Sequence, residues 1–393
     1  MLELLVNADV YSPEHLGLRH LLIAGERIVW IGTDLPQFPK SLGIRQRDLG
    51  RRRVVPGFID GHAHITGGGG ESGYASRVPE VGLSRFTRAG VTTVVGLLGT
   101  DDLNRRPGEV VARARALEAE GMSAFAWTGG YHLPLATITG SAKGDIVHID
   151  KVLGVGELAI SDHRSSQPSF EEFTRVASEC HVAGLMTDKA GVLHLHVGDG
   201  PRGLELIREA LRTTEIPARV FQPTHVNRRK ALFEEALALA KIGVSVDVTA
   251  YPVGDDSDDD GLSARDALLA AFASGVDPAR LTASSDGGGC LPCFDADGRV
   301  EHMDVGEPSS LASTLRELLQ AGIPLERAIA PFTANWARVL RLPRKGRIEV
   351  GADADLVVLD EDHRIADVLC LGRWHVLSGA LQQYGTFEAR PQA

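Results

Sequence analysis

Two histidines separated by a single residue, His62-Ala63-His64, follow directly on Gly57-Phe58-Ile59-Asp60-Gly61. Residues i and i+2 of a strand point to the same face. At the C-terminal end of a barrel strand, the two imidazoles can therefore grip one metal ion. Three further ligand candidates sit where an apolar run gives way to a loop. His196 ends Val192-Leu193-His194-Leu195, His225 ends Phe221-Gln222-Pro223-Thr224, and Asp286 ends Leu281-Thr282-Ala283-Ser284-Ser285. Barrel enzymes place their reactive groups at such positions, and a mixed imidazole and carboxylate set suits Zn²⁺ and similar ions.

The elements that must position these groups are legible in the texture of the chain. Strand-like runs over 58–61, 91–98, 124–128, 152–160, 193–196, 219–221, 244–248 and 281–285 alternate with helical stretches such as 110–120, 170–183, 203–211 and 231–241. Ser169 with Glu172 forms a capping box at the head of one helix. Eight strands with intervening helices predict an α/β fold, a (β/α)₈ TIM barrel. The first segment is β-like over 2–10, 20–23 and 27–31, with Gly25-Glu26 as a hairpin turn. The texture returns to β at 347–350, 355–359 and 373–377. Unpaired strand edges need partners, so the two termini are expected to form one small β-sandwich domain. The predicted division is 1–56 and 342–393 for that domain and 57–341 for the barrel.

Composition excludes several classes. Hydrophobic residues make up 43% of the 393 and charged residues 24%, so a large core is expected rather than disorder. A net charge of −11 argues against nucleic acid. No run of about 18 apolar residues suggests a membrane span, and Met1-Leu2-Glu3-Leu4 lacks the basic start of a signal peptide. Four cysteines make no disulfide framework, which fits a reducing cytoplasm.

The order His-x-His, bridging residue, His, His, Asp resembles the amidohydrolase superfamily. The surrounding strings resemble its isoaspartyl dipeptidase branch: Gly67-Gly68-Gly69-Gly70-Glu71, Leu97-Leu98-Gly99-Thr100-Asp101, Tyr131-His132, Ile138-Thr139-Gly140-Ser141, Ser161-Asp162-His163-Arg164 and Pro223-Thr224-His225-Val226-Asn227-Arg228. The likeness continues into Lys345-Gly346 and Ala354-Asp355-Leu356.

The resemblance implies two divalent ions, usually zinc, that share a hydroxide and one bridging side chain. The metal lowers the pKa of its water and yields a nucleophile near neutral pH. In that scheme His62, His64, His196, His225 and Asp286 are ligands, and the hydroxide attacks the side-chain amide of a β-aspartyl dipeptide. Asp286 moves the proton to the leaving amine, and Tyr131 hydrogen-bonds the developing oxyanion. Glu71 pairs with the free α-ammonium, Arg164 and Arg228 hold the carboxylates, and Thr100 and Gly69 complete the pocket. Family members self-associate, so a homo-oligomer is expected.

Two departures stand out. The family usually presents a lysine on the fourth strand whose carbamate bridges both ions. Counting back from Ser161 places Glu157 there, shorter by roughly three bonds or about 4 Å of reach. Glu157 is expected to bridge in its stead, which requires strand four to be drawn closer, its register to be shifted, or one metal site to be left weak. Gly154 and Gly156 would ease the approach, and Lys151 lies too far upstream to substitute. Four positions after Asp286 the family tends to carry a hydroxyl residue, but here Cys290 offers a weaker donor toward a substrate carboxylate.

Other signals are read as structural. Cys290-x-x-Cys293 lacks the second pair of a zinc knuckle, and the acidic run from Asp255 to Asp260 lacks the calcium-loop spacing. His132 and His163 are expected to make orienting hydrogen bonds, and His194 to face the helices as a core histidine. Two rival readings remain open. One is a dihydroorotase-like, hydantoinase-like or N-acyl-amino-acid hydrolase; the other is a barrel retained as a non-catalytic scaffold.

Overall fold

The computed structural model describes residues 2–250, 260–294 and 299–390, without the side chains of 292–294. The acidic run falls largely outside the described residues, as does the Cys293 side chain.

Six parallel strands run side by side: Phe58–Ala63, Val91–Gly96, Ser123–Thr128, Val152–Ile160, Val192–Val197 and Phe221–Thr224. A parallel pair, Val246–Thr249 with Leu281–Ser284, completes the barrel. Closure on one side is a parallel bridge between Ala63 and Gly287, with His64 N donating to Gly287 O at 2.8 Å. On the other, Thr224 Oγ1 donates to Asp247 Oδ2 at 2.7 Å. The eight strands are numbered one to eight in that order below. Helices such as Pro107–Ala119, Phe170–Thr187, Lys230–Ala240 and Ala264–Ala273 pack their apolar faces against the strands. Ser169 and Glu172 form the reciprocal cap that the sequence predicts.

Strand six begins later than expected. Residues 218–220 form a 3-10 turn, and the strand occupies Phe221–Thr224 because Pro217 opens the turn one residue earlier.

The termini share a nine-stranded sheet. Leu2–Tyr11 pairs with His15–Ala24, with Arg45–Asp48 and with Arg53–Pro56, which in turn pairs with Leu356–Leu359 from the other end of the chain. Period-2 alternation gives this sheet two apolar faces. Val54, Leu356, Val358 and Leu369 pack into the core of the small β layer. Their neighbours Val55, Val357, Leu359, Val368 and Cys370 join the barrel core. The sheet is therefore fixed to the barrel by burial rather than by a linker. The expected strand at 347–350 is absent: Ile348 is buried alone while the exposed Glu349 and Val350 turn the chain. The strand Ile365–Cys370 fills the sheet instead.

Candidate metal centre

Every residue singled out for metal chemistry reaches one place, the C-terminal mouth of the barrel. His62 lies at the end of strand one and His64 just beyond it, both buried. Their Nε2 atoms lie 3.3 and 3.1 Å from Asp286 Oδ1. Glu157 lies among all four histidines. Its Oε1 is 3.5 Å from His64 Nε2, and its Oε2 is 3.2 Å from His196 Nδ1, 3.3 Å from His225 Nε2 and 3.7 Å from His62 Nε2.

Local backbone explains how the shorter Glu157 gets there. Strand five pairs Leu193 with Val155 and then Leu195 with Leu158, so strand four carries one extra residue at Gly156-Glu157. Such a bulge bends its strand and re-aims a side chain. The glycines make room: a Cβ at Gly154 would meet Val192 O at 2.2 Å, and one at Gly156 would meet His194 Cβ at 2.9 Å. Of the ways to compensate a short side chain, a shift of register is the one present. Lys151 lies elsewhere, 2.5 Å from Glu118.

The cluster has the chemistry of a cation site. His62 Nε2 and Asp286 Oδ1 are buried, face one another and have no hydrogen-bond partner. Against burial, Glu157 and then Asp286 raise the His62 imidazole to about 9, so without an ion a proton occupies the place between Nε2 and Oδ1 that a divalent cation would take. Burial opposes charge on Glu157, but His62, His196 and His225 outweigh it and hold the carboxyl well below its usual range. Burial is likewise outweighed at Asp286 by His62 and His64. Burial pushes His225 down to about 3, so its imidazole is neutral at ordinary pH. Ionised carboxylates with neutral imidazole are the donor set that divalent ions take. The groups that converge are His62, His64 and Asp286, and His62, Glu157 and His225.

Beside the cluster lies a polar pocket. Glu71 accepts from Thr100 Oγ1 at 2.9 Å, lies 3.5 Å from Arg164 Nη1, and leaves Oε2 buried with no hydrogen-bond partner. Gly69 has φ +79°, and a Cβ there would meet Ser76 O at 2.3 Å, so the loop that carries Glu71 tolerates no side chain at this point. Tyr131 is buried, with its hydroxyl 2.8 Å from His196 Nδ1; burial, and then Glu157, raise its pKa well above the usual phenol value. Burial, with Glu71 and Asp286, pushes the Cys290 thiol up to about 12, so it is a neutral, weak donor. Arg228 is more peripheral, with Nη1 3.5 Å from Asp199.

The sequence reading missed three participants. Asp162 accepts from Arg164 Nε at 3.0 Å and Nη2 at 2.7 Å, and its Oδ2 is 2.8 Å from His196 Nε2. One carboxylate thus orients an arginine and an imidazole together. It stood within a quoted string, and its placement two residues before Arg164 was the available signal. Buried Arg105 donates to the carbonyls of Gly67, Gly68 and Val78 and so pins the glycine loop. Nothing in sequence spacing announces it. His194 is a correction. It does not face the helices: residues two apart share a face, so it points inward like His196, stacks on Trp127 and lies 2.8 Å from His62 Nδ1. His132 makes the orienting bonds expected of it, to Asp102 at 3.0 Å and to Arg164 O at 2.9 Å.

The amidohydrolase family profile matches residues 53–375. The chain belongs to the amidohydrolase family. Among solved structures, this amidohydrolase superposes on a beta-aspartyl dipeptidase of Fervidobacterium islandicum AW-1 in complex with the dipeptide beta-Asp-Leu. The TM-score is 0.92 and the identity 40%, over 99% of this chain and 100% of that one. A dihydropyrimidinase of Brevibacillus agri, 16% identical with a TM-score of 0.68 over 98% of this chain and 97% of that one, shares the fold. Among curated proteins, an imidazolonepropionase of Anaeromyxobacter sp. is 26% identical over 86% of this chain and 82% of that protein. A shorter match to the imidazolonepropionase of Cupriavidus taiwanensis, 32% identical over 29% of this chain, spans 28% of its partner's length. This amidohydrolase is a metal-dependent hydrolase built on a (β/α)₈ barrel with a β domain from both termini. Among its described residues no helix is long and apolar enough to cross a membrane.

Proposed function

We propose that this amidohydrolase cleaves the side-chain amide bond of β-aspartyl dipeptides. The observation that carries the reading is the pairing of Glu71 and Arg164, 3.5 Å apart, at the edge of the imidazole–carboxylate cluster. An isoaspartyl residue presents a free α-ammonium and a free α-carboxylate on one carbon, and an adjacent buried anion and cation match both. A cyclic amide has no ammonium to offer Glu71. The full-length likeness to the Fervidobacterium protein supports the same substrate class.

Two zinc ions are the occupants we propose, held by His62, His64, His196, His225 and Asp286 with Glu157 between them. When bound, such ions supply Lewis-acid charge that makes water nucleophilic near neutral pH. Asp286 takes the proton from the attacking water and delivers it to the leaving amine. The Tyr131 hydroxyl, kept protonated, donates to the carbonyl oxygen as it becomes an oxyanion, a contribution of about 3 kcal/mol for a well-placed donor. Arg164 and Arg228 hold the carboxylates, Thr100 and Gly69 shape the aspartyl pocket, and Cys290 faces it. The reading retains a homo-oligomer in the cytoplasm, on the family resemblance and the sparse cysteines. It also retains the division into 1–56, 57–341 and 342–393.

The test is hydrolysis of β-Asp-Leu against α-Asp-Leu, N-acetyl-aspartate and dihydroorotate with zinc supplied. Cleavage confined to the β-linked dipeptide is expected. Turnover only of an acylated or cyclic compound would overturn the substrate class while keeping the metal chemistry.

A further inference from the structure

One histidine outside the ligand cluster joins the loops that build the polar pocket. Thr100, in the loop after strand two, holds Glu71 by a hydrogen bond at 2.9 Å. Two residues on, Asp102 turns its carboxylate to the loop after strand three. Its Oδ2 accepts from His132 N at 3.1 Å, and its Oδ1 lies 3.0 Å from His132 Nδ1. The other ring nitrogen, Nε2, lies 2.9 Å from the carbonyl oxygen of Arg164, in the loop after strand four. Alongside, Leu133 N donates to Ser166 Oγ at 3.0 Å. One imidazole therefore stands between the loop that steadies the anion of the pocket and the loop that carries its cation, with Glu71 and Arg164 3.5 Å apart.

Both partners of the ring are acceptors. A backbone carbonyl has no proton to give, and a carboxylate has only lone pairs. A neutral imidazole carries one N–H and one lone pair, so it would satisfy one partner and set its lone pair against the other. An imidazolium donates to both. The charge facing the ring is that of Asp102. The Arg164 guanidinium is turned to Asp162 and Glu71, and the ring of Tyr131, on the same loop as His132, lies 6.1 Å away between centroids. The hydrogen bond to Asp102 accordingly raises the His132 pKa, against the opposing effect of burial. The His132 side chain is 35% exposed, so its protons exchange with solvent.

We propose that His132 is a positioning residue for the substrate clamp. As an imidazolium between Asp102 and the Arg164 carbonyl, it ties the loops of Thr100 and Arg164 together and fixes the spacing at which Glu71 and Arg164 meet the substrate's ammonium and carboxylate. As pH rises through the folded pKa the ring gives up a proton, one of its two contacts becomes lone pair against lone pair, and the clamp loosens. The kinetic consequence rests on the substrate class proposed above; the charge state of the ring does not.

The test uses the full-length chain with zinc supplied and has two readouts. The first is the titration of His132 in a ¹⁵N-histidine spectrum, its signals identified by their absence from His132→Gln. Both ring nitrogens should stay protonated above the ordinary midpoint of about 6.5. The second is the KM of His132→Gln for β-Asp-Leu relative to the parent across pH, a ratio in which titration of the substrate's own ammonium cancels. It should be on the order of two- to tenfold at about pH 6 and fall toward one by about pH 9, with kcat changing less. Asp102→Asn separates this role from a merely structural one. Its amide can donate to a neutral Nδ1 while Nε2–H still reaches the Arg164 carbonyl, so His132 should titrate lower and KM should lose its pH step. The parent titration and the His132→Gln ratio carry the test if Asp102→Asn fails to fold. A His132 midpoint at or below about 6.5, or a KM ratio that does not change with pH, would overturn the proposal. If β-Asp-Leu is not hydrolysed at all, the substrate reading fails, and the titration still decides whether the ring is an imidazolium.

Discussion

Two buried charged clusters in this molecule are built on opposite principles. Where the β domain meets the barrel, Lys345 Nζ lies 2.6 Å from Asp355, 2.9 Å from Asp353 and 2.6 Å from Ser123 Oγ. Three ammonium donors meet three acceptors, and Asp355 also accepts from Leu371 N at 2.8 Å. At the barrel mouth, His62 Nε2 and Asp286 Oδ1 are left without a hydrogen-bond partner, as is Glu71 Oε2 in the adjoining pocket. Both regions bury charge at similar depth. The first is complete as folded, whereas the second leaves buried polar atoms open, as the proposed cation and substrate ammonium would require.

The comparison breaks if either cluster responds like the other. The largest effect is expected at Asp286. Asp286→Asn should lower kcat about 10²–10⁴-fold while the chain stays folded. Steady-state kinetics and thermal unfolding of the same preparation check both halves. Lys345→Met should do the converse. It strands Asp355 without its cation and should cost about 3–5 kcal/mol of stability, while the folded fraction keeps its kcat. An unchanged urea midpoint would make that cluster dispensable.

Within the pocket, Arg164→Lys sharpens the distinction between ligand cluster and substrate clamp. Loss of the planar fork should raise KM for β-Asp-Leu roughly tenfold or more, with zinc content unchanged. Equal KM values would remove Arg164 from substrate contact.

The smallest effect is a pH dependence at His132, where the hydrogen bond to Asp102 raises the imidazole pKa. A raised folded value stabilises the protonated form. Its contribution is therefore full below the unfolded value of about 6.5 and fades as pH rises through the folded one. In the metal-free chain, the stability gap between parent and His132→Gln should be about 1 kcal/mol or less at about pH 5.5 and should close by about pH 9.

The sequence disclosed the candidate ligands because metal chemistry restricts residue types and because strand ends are marked by apolar runs. His62, His64, Glu157, His196, His225 and Asp286 all converge as their positions imply. What it did not disclose depends on contacts across strands. Asp162 and Arg105 act through partners 34 and 37 residues away, a distance at which local periodicity carries no information. His194 was legible in principle, since its i, i+2 relation to His196 places it inside the barrel. The bulge at Gly156-Glu157 was foreshadowed only by its glycines. In the β domain, an unbroken apolar run marked Leu356–Leu359, and alternation marked Leu2–Tyr11. At 347–350 a similar composition yields a turn, and the chain meets the edge strand Arg27–Gly32 just beyond it, through Gly351 N to Ile28 O at 2.8 Å and Ile28 N to Ala352 O at 3.0 Å.

The central claim is that Glu157, carried inward by the bulge, joins the two halves of the ligand cluster without a carbamate. The direct measurement is reconstitution of the chelator-stripped protein with zinc, with and without bicarbonate, reading bound metal per chain and turnover of β-Asp-Leu. The account predicts that zinc alone restores two ions per chain and full activity, with no effect of bicarbonate. Recovery of metal and activity only when bicarbonate accompanies zinc would contradict it.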